Sequence, residues 1–128
     1  MAFDAMTALA NEPLPVFTEN DYIRFMLIAT ERIQDYLQDV RREEFTSDDK
    51  LNSAVQRNFS ILRDAPADLI KNFSDAPSRF RDVPFATIQA RCKALMEPYY
   101  QVDPNKLWKC AQEEIPAWRQ LLQAASDS

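Results

Sequence analysis

The sequence predicts an all-α fold, an antiparallel bundle of four or five helices. Apolar residues recur every three or four positions along several segments, which is the spacing of one helix face, and no segment alternates convincingly like a strand. The 128 residues include no glycine. At an average usage of ~7%, a glycine-free chain of this length is about a one-in-ten-thousand draw. Gly-rich phosphate loops are therefore excluded, and tight β-hairpins, which use glycine for positive φ, are disfavoured.

The first helix is predicted to begin at Asn20 or Asp21, both good N-cap residues. Beside its main apolar stripe it carries a second apolar set: Tyr22, Phe25, Ala29 and Tyr36. A helix with two apolar faces lies centrally in a bundle or at an oligomer interface. We therefore expect this second set to lie in the two-fold interface of a homodimer, against the region of the third helix.

A second helix is predicted after Ser47 or Asp48, and Phe45 is the single apolar anchor of the charged connection before it. Pro66 lies inside the helical pattern. Because proline removes a backbone donor and crowds the preceding turn, we expect the helix to kink or restart there. Residues 74–83 are predicted to form a loop.

A third helix is predicted to begin near Pro84, which suits a first helical turn, and to end at Pro98. An aromatic link follows, and Asp103 then caps the last helix, with a proline in its first turn. We expect Pro116 to bend that helix without ending it.

Three regions are predicted along the chain: an extended arm over residues 1–19, the helical domain over residues 20–125 and a short polar tail over residues 126–128. The arm lacks the positively charged start of a signal peptide, and no apolar run approaches the ~20 residues of a membrane span. Cys92 and Cys110 lack CxxC spacing and indicate free thiols in a reducing compartment. These features favour a cytoplasmic protein that does not bind a membrane.

The residue types in the chain limit which reactions it can catalyse and which ligands it can bind. The chain has no histidine, which excludes a histidine-containing triad, a histidine-ligated metal and an imidazole acid or base. A net charge of −5 disfavours broad binding to nucleic acid, so RNA is expected only at a local basic patch. We predict neither a metal nor a cofactor, since the paired acids of the chain point to different helix faces: Asp48-Asp49 and Glu113-Glu114.

Five local patterns, in the right order, resemble those of HepT-like proteins, which are helical domains of the HEPN fold. The resemblance extends over about residues 20–124. The segments that carry it are residues 21–37, AVQRNFSIL at 54–62, VPFATI at 83–88, YYQVDP with LW at 99–108, and EEIP at 113–116.

The resemblance implies a homodimer that places two R-x4-H motifs at its interface, where they act as a metal-independent ribonuclease. In that reaction a basic group stabilises the phosphate charge and histidine moves protons. The resemblance also implies toxin–antitoxin ancestry. HepT-like toxins are paired with an MntA-type nucleotidyltransferase antitoxin, which adenylylates the tyrosine of the extended motif R-x4-H-x-Y.

This chain departs from the family at the motif itself. In the gapless register the motif arginine falls on Cys92 and the asparagine after it on Lys93. The histidine falls on Glu97 and the modifiable tyrosine on Tyr99. The resemblance therefore implies a degenerate ribonuclease site.

A second register places the arginine on Arg91 and the histidine on Met96, but it needs an insertion before Tyr99. Neither register supplies a histidine. Two glycines of the family are also replaced in this chain, by Arg63 and Ala90.

The motif positions each have a structural and a functional interpretation. We interpret Glu97 as a solvated helix-end residue, the alternative being a base that acts while Arg91 or Lys93 neutralises phosphate. We interpret Cys92 as a buried thiol, the alternative being a nucleophile, which would lack a histidine to activate it.

Tyr99 is expected to pack against Tyr100 and Trp108, and adenylylation of Tyr99 is the alternative. Arg57 and Asn58 match a polar pair of the family, and two interpretations stay open for them: a buried, hydrogen-bonded pair near the dimer seam, or the lining of a nucleotide-binding cleft. The candidates for contact with RNA are Arg57, Asn58, Arg91, Lys93 and Tyr100.

The sequence thus favours a homodimeric HepT-like protein with a degenerate ribonuclease site, acting as a binding or regulatory partner. Two alternatives remain: an active ribonuclease toxin with an altered site, and a helical interaction module that keeps only the fold.

Overall fold

The computed structural model describes residues 16–128. Within these residues the chain forms seven α-helices and one 3₁₀ turn and contains no strand, which confirms the predicted all-α fold. No helix in this part of the chain is both long and apolar enough to cross a membrane. The elements are α1 (Glu19–Leu37), α2 (Arg42–Thr46), α3 (Asp49–Asn72), α4 (Ala76–Arg79), α5 (Phe85–Met96), the 3₁₀ turn (Tyr99–Gln101), α6 (Pro104–Glu113) and α7 (Ile115–Ser126).

Five of these helices have ten or more residues and form the bundle. Helix α3 packs against α1 and against α5, α1 also packs against α7, and the short α2 packs against α6. Helices α1 and α3 are antiparallel, because the hydroxyl of Tyr22 near the start of α1 accepts a hydrogen bond of 3.0 Å from Asn72 at the end of α3. The bundle of the predicted kind is confirmed, and α2 and α4 are short additions to it.

The first helix begins slightly earlier than predicted. Thr18, not Asn20 or Asp21, is its N-cap: the Thr18 hydroxyl accepts from the Asp21 backbone N–H at 3.1 Å, and the Asp21 carboxylate accepts from the Thr18 N–H at 2.8 Å. This reciprocal capping box satisfies two backbone donors. The predicted arm lies outside the described residues as far as residue 15, and Glu19 already belongs to α1.

The later N-caps are confirmed. Asp48 accepts a hydrogen bond of 3.0 Å from the backbone N–H of Leu51 and starts α3. Asp103 accepts one of 2.9 Å from the N–H of Asn105 and starts α6. Phe45 is the one buried residue of α2, as expected of an anchor.

Helix α3 runs through Pro66 without a restart, one of the two outcomes predicted there, and Pro66 is itself buried, so packing of its flanks outweighs the lost backbone bond. Two other predictions are wrong. The predicted final helix is two helices: α6 ends at Glu113 and Pro116 lies in the first turn of α7, where its missing N–H would have no helical partner. The predicted loop at 74–83 contains α4. By contrast, α5 ends before Pro98 as predicted.

Asp39 occupies a backbone conformation that costs energy for an L-residue. It follows the end of α1 with φ of 60°, where glycine is normally favoured. We expect Asp39→Gly to raise the free energy of unfolding by about 0.5–1 kcal/mol, because it removes the Cβ crowding and an acidic charge at a helix C-terminus, partly offset by a more flexible unfolded chain. Urea unfolding measures the difference.

Asp35→Gly is the matched control for this change. Asp35 is exposed inside α1, where the backbone is helical, so glycine there should not stabilise the chain and should lower the free energy of unfolding by at most about 0.5 kcal/mol. A lower stability for both variants would contradict the interpretation of Asp39.

Candidate functional site

The residues that match the family motif lie at the end of α5 and in the turn after it. Lys93 and Glu97 are exposed, and Glu97 is the residue at which α5 ends. Tyr99 and Tyr100 follow in the 3₁₀ turn, and each is 79% exposed. Their rings meet edge to face with centroids 5.6 Å apart. This end of the molecule therefore presents a lysine, a carboxylate and two phenols to solvent.

The structure has one of the two contacts that were predicted for Tyr99. Tyr99 contacts Tyr100, but Trp108 packs on Phe45 instead, with ring centroids 5.8 Å apart. Helix α6 packs against α2, and Trp108 meets Phe45 at that contact. Tyr99 is consequently a surface residue and not part of the core.

Cys92 and Cys110 are both buried free thiols, which confirms the structural interpretation of Cys92. Burial, reinforced by the Glu114 carboxylate, raises the pKa of the Cys92 thiol from its ordinary value of 9.0 to about 12. Burial and the same carboxylate also raise the pKa of Cys110, whose Sγ donates to Glu114 at 3.4 Å. Both thiols stay protonated at neutral pH, so neither is an activated nucleophile.

The two arginines nearest the motif are each engaged by a carboxylate. Arg91 Nε donates to both carboxylate oxygens of Glu114, at 3.0 and 3.1 Å. Arg63 donates to Asp64 at 2.7 and 3.1 Å. A guanidinium that already binds a carboxylate has fewer donors and less net charge to offer a phosphate.

Arg63 is the site residue that sequence reasoning left without a role. The hydrogen bond that Arg63 donates to Asp64 is the largest cause of its raised pKa, and the charge of Glu97 adds to it, so Arg63 lies within electrostatic reach of the motif. The one feature of the sequence that could have drawn attention to Arg63 is that it replaces a glycine of the family. Its neighbourhood depends on how α3 packs against α5, which local patterns do not specify.

Arg57 and Asn58 do not form a pair. Asn58 is 2% exposed, and its Nδ2 donates to the carbonyl of Ala54 at 2.9 Å, while its Oδ1 has no hydrogen-bond partner among the described residues. Arg57 is exposed on the outer side of α3. The hydrogen-bonded-pair interpretation is wrong because consecutive helical residues point about 100° apart. Arg57 alone borders an open groove.

That groove, the α1–α3 groove, has a volume of about 610 Å³ and lies on the outer side of the bundle. Two of the residues predicted to form a dimer interface, Tyr22 and Ala29, are buried within the protomer instead, because α1 uses them against its neighbours. Phe25 and Tyr36 are exposed by 36% and 42%. The groove is lined by Phe17, Tyr22, Phe25, Ile28, Arg32, Arg57, Ser60, Ile61, Asp64, Ala65 and Asp68.

Nothing in residues 16–128 is arranged as a metal site: no group of three or more cysteine, aspartate and glutamate side chains converges there. The fold is an all-α bundle of the HEPN type. In the gapless register of the resemblance, the positions of the motif arginine and histidine hold a buried thiol and an exposed carboxylate.

The family model described as "Ribonuclease HepT-like" matches residues 26–125. The chain therefore belongs to the HepT-like family, as the local patterns indicated. It is 26% identical over 100 residues to a protein named "Probable ribonuclease HepT" from Thermococcus cleftensis, a match that covers 78% of this chain and 88% of the relative. No solved structure matches the chain.

Proposed function

We propose that this HepT-like domain does not cleave RNA and acts as a binding or regulatory partner of toxin–antitoxin ancestry. The observation that carries the proposal is the content of the two motif positions in the gapless register of the resemblance: Cys92, at the arginine position, is fully buried, and Glu97, at the histidine position, is an exposed carboxylate. The proposal includes a homodimer and, as its partner, an MntA-type nucleotidyltransferase.

The chemistry of these positions supports the loss of cleavage. Attack by a 2′-hydroxyl needs a group that accepts a proton, a group that returns one to the leaving oxygen, and a cation for the phosphate. A carboxylate in place of the histidine can serve as the proton acceptor but does not also supply the donor that the reaction needs. The buried thiol of Cys92 supplies no charge to a phosphate, and Arg63 and Arg91 are held by carboxylates.

The surface around the turn supports the partner part of the proposal. Tyr99 and Tyr100 stand 79% exposed beside Lys93 and Glu97. Large exposed aromatic side chains are common at binding surfaces. The position that the family uses as an adenylylation acceptor is thus accessible to a second protein here.

One alternative has an observation in its favour. Lys93 and Glu97 are exposed on adjacent turns of the same helix end, so an altered ribonuclease could use the lysine for phosphate and the carboxylate as base. A helical interaction module without nucleotide chemistry is the other alternative, and the engaged arginines favour it over the altered enzyme.

Incubation of single-stranded RNA with the wild type and with Glu97→Ala tests the proposal, in EDTA and again with magnesium. We expect both proteins to leave the RNA as intact as the buffer does, because the chain has no histidine to move protons and the arginines Arg63 and Arg91 are held by carboxylates. Cleavage by the wild type that disappears in Glu97→Ala would contradict the proposal and support the altered enzyme.

A further inference from the structure

We draw no further inference here: the strongest candidate, the apolar α1–α3 groove beside the first described residues of the chain, carries none because nothing in the structure shows what covers it.

Discussion

Phe45→Ala is expected to lower the free energy of unfolding by about 3–5 kcal/mol, the range found for a large aromatic residue truncated in a core. Phe45 is fully buried and is the one residue of α2 inside the core. Its ring packs on Trp108, and its carbonyl accepts a hydrogen bond of 2.6 Å from Asn52 on α3. Truncation leaves a cavity and releases the contact between α2 and α6.

Urea unfolding at fixed protein concentration measures this effect, with Tyr100→Ala as the control. Tyr100 is also aromatic but 79% exposed, so its truncation should change stability by less than about 0.5 kcal/mol. Equal losses for the two variants would show that Phe45 does not anchor α2 to the bundle.

Raising the pH from about 8 to about 11 is expected to lower the stability of the wild type by about 2–3 kcal/mol more than that of Cys92→Ala. Burial raises the pKa of Cys92 from 9.0 to about 12, so the folded chain keeps a proton that the unfolded chain releases. The contribution of the Cys92 thiol to the free energy of unfolding is complete below pH 9 and is lost as the pH rises toward about 12.

Unfolding curves of both proteins across this range give the comparison. Lysine and tyrosine ionisation act on both proteins and cancel in the difference. Because Cys92 contributes to the raised pKa of Cys110, both proteins carry Cys110→Ala in this comparison. Parallel pH profiles would mean that the Cys92 thiol ionises as easily in the folded chain as in the unfolded one, and its exclusion as a nucleophile would fail.

Features that depend on a few neighbouring residues could be predicted from the sequence. Asp48 and Asp103 cap their helices through hydrogen bonds to backbone groups two or three residues away. Helix α5 ends before Pro98 because a proline ring disfavours helical backbone in the residue before it. The burial of Cys92 follows from its place on the apolar side of α5. Such features need no knowledge of the tertiary structure.

Features that depend on packing between helices could not be predicted in this way. Pro66 stays inside α3 because the bundle buries it, and Trp108 packs on Phe45 because α6 lies against α2. The position of Arg63 near the motif depends on how α3 and α5 are aligned along each other in the bundle. The α1–α3 groove joins residues of two helices that lie far apart in the sequence, and no local pattern defines it.

We propose above that the motif of this HepT-like domain has lost ribonuclease chemistry. The most direct measurement is the rate of cleavage of one single-stranded RNA by this chain, side by side with a family member that keeps the R-x4-H motif, at equal concentrations and from mildly acidic to mildly alkaline pH. We expect the family member to cleave and this chain to match the buffer blank at every pH, because Cys92 and Glu97 supply neither the cation nor the proton donor. A rate for this chain comparable with that of the intact family member, at any pH in the series, would contradict the claim.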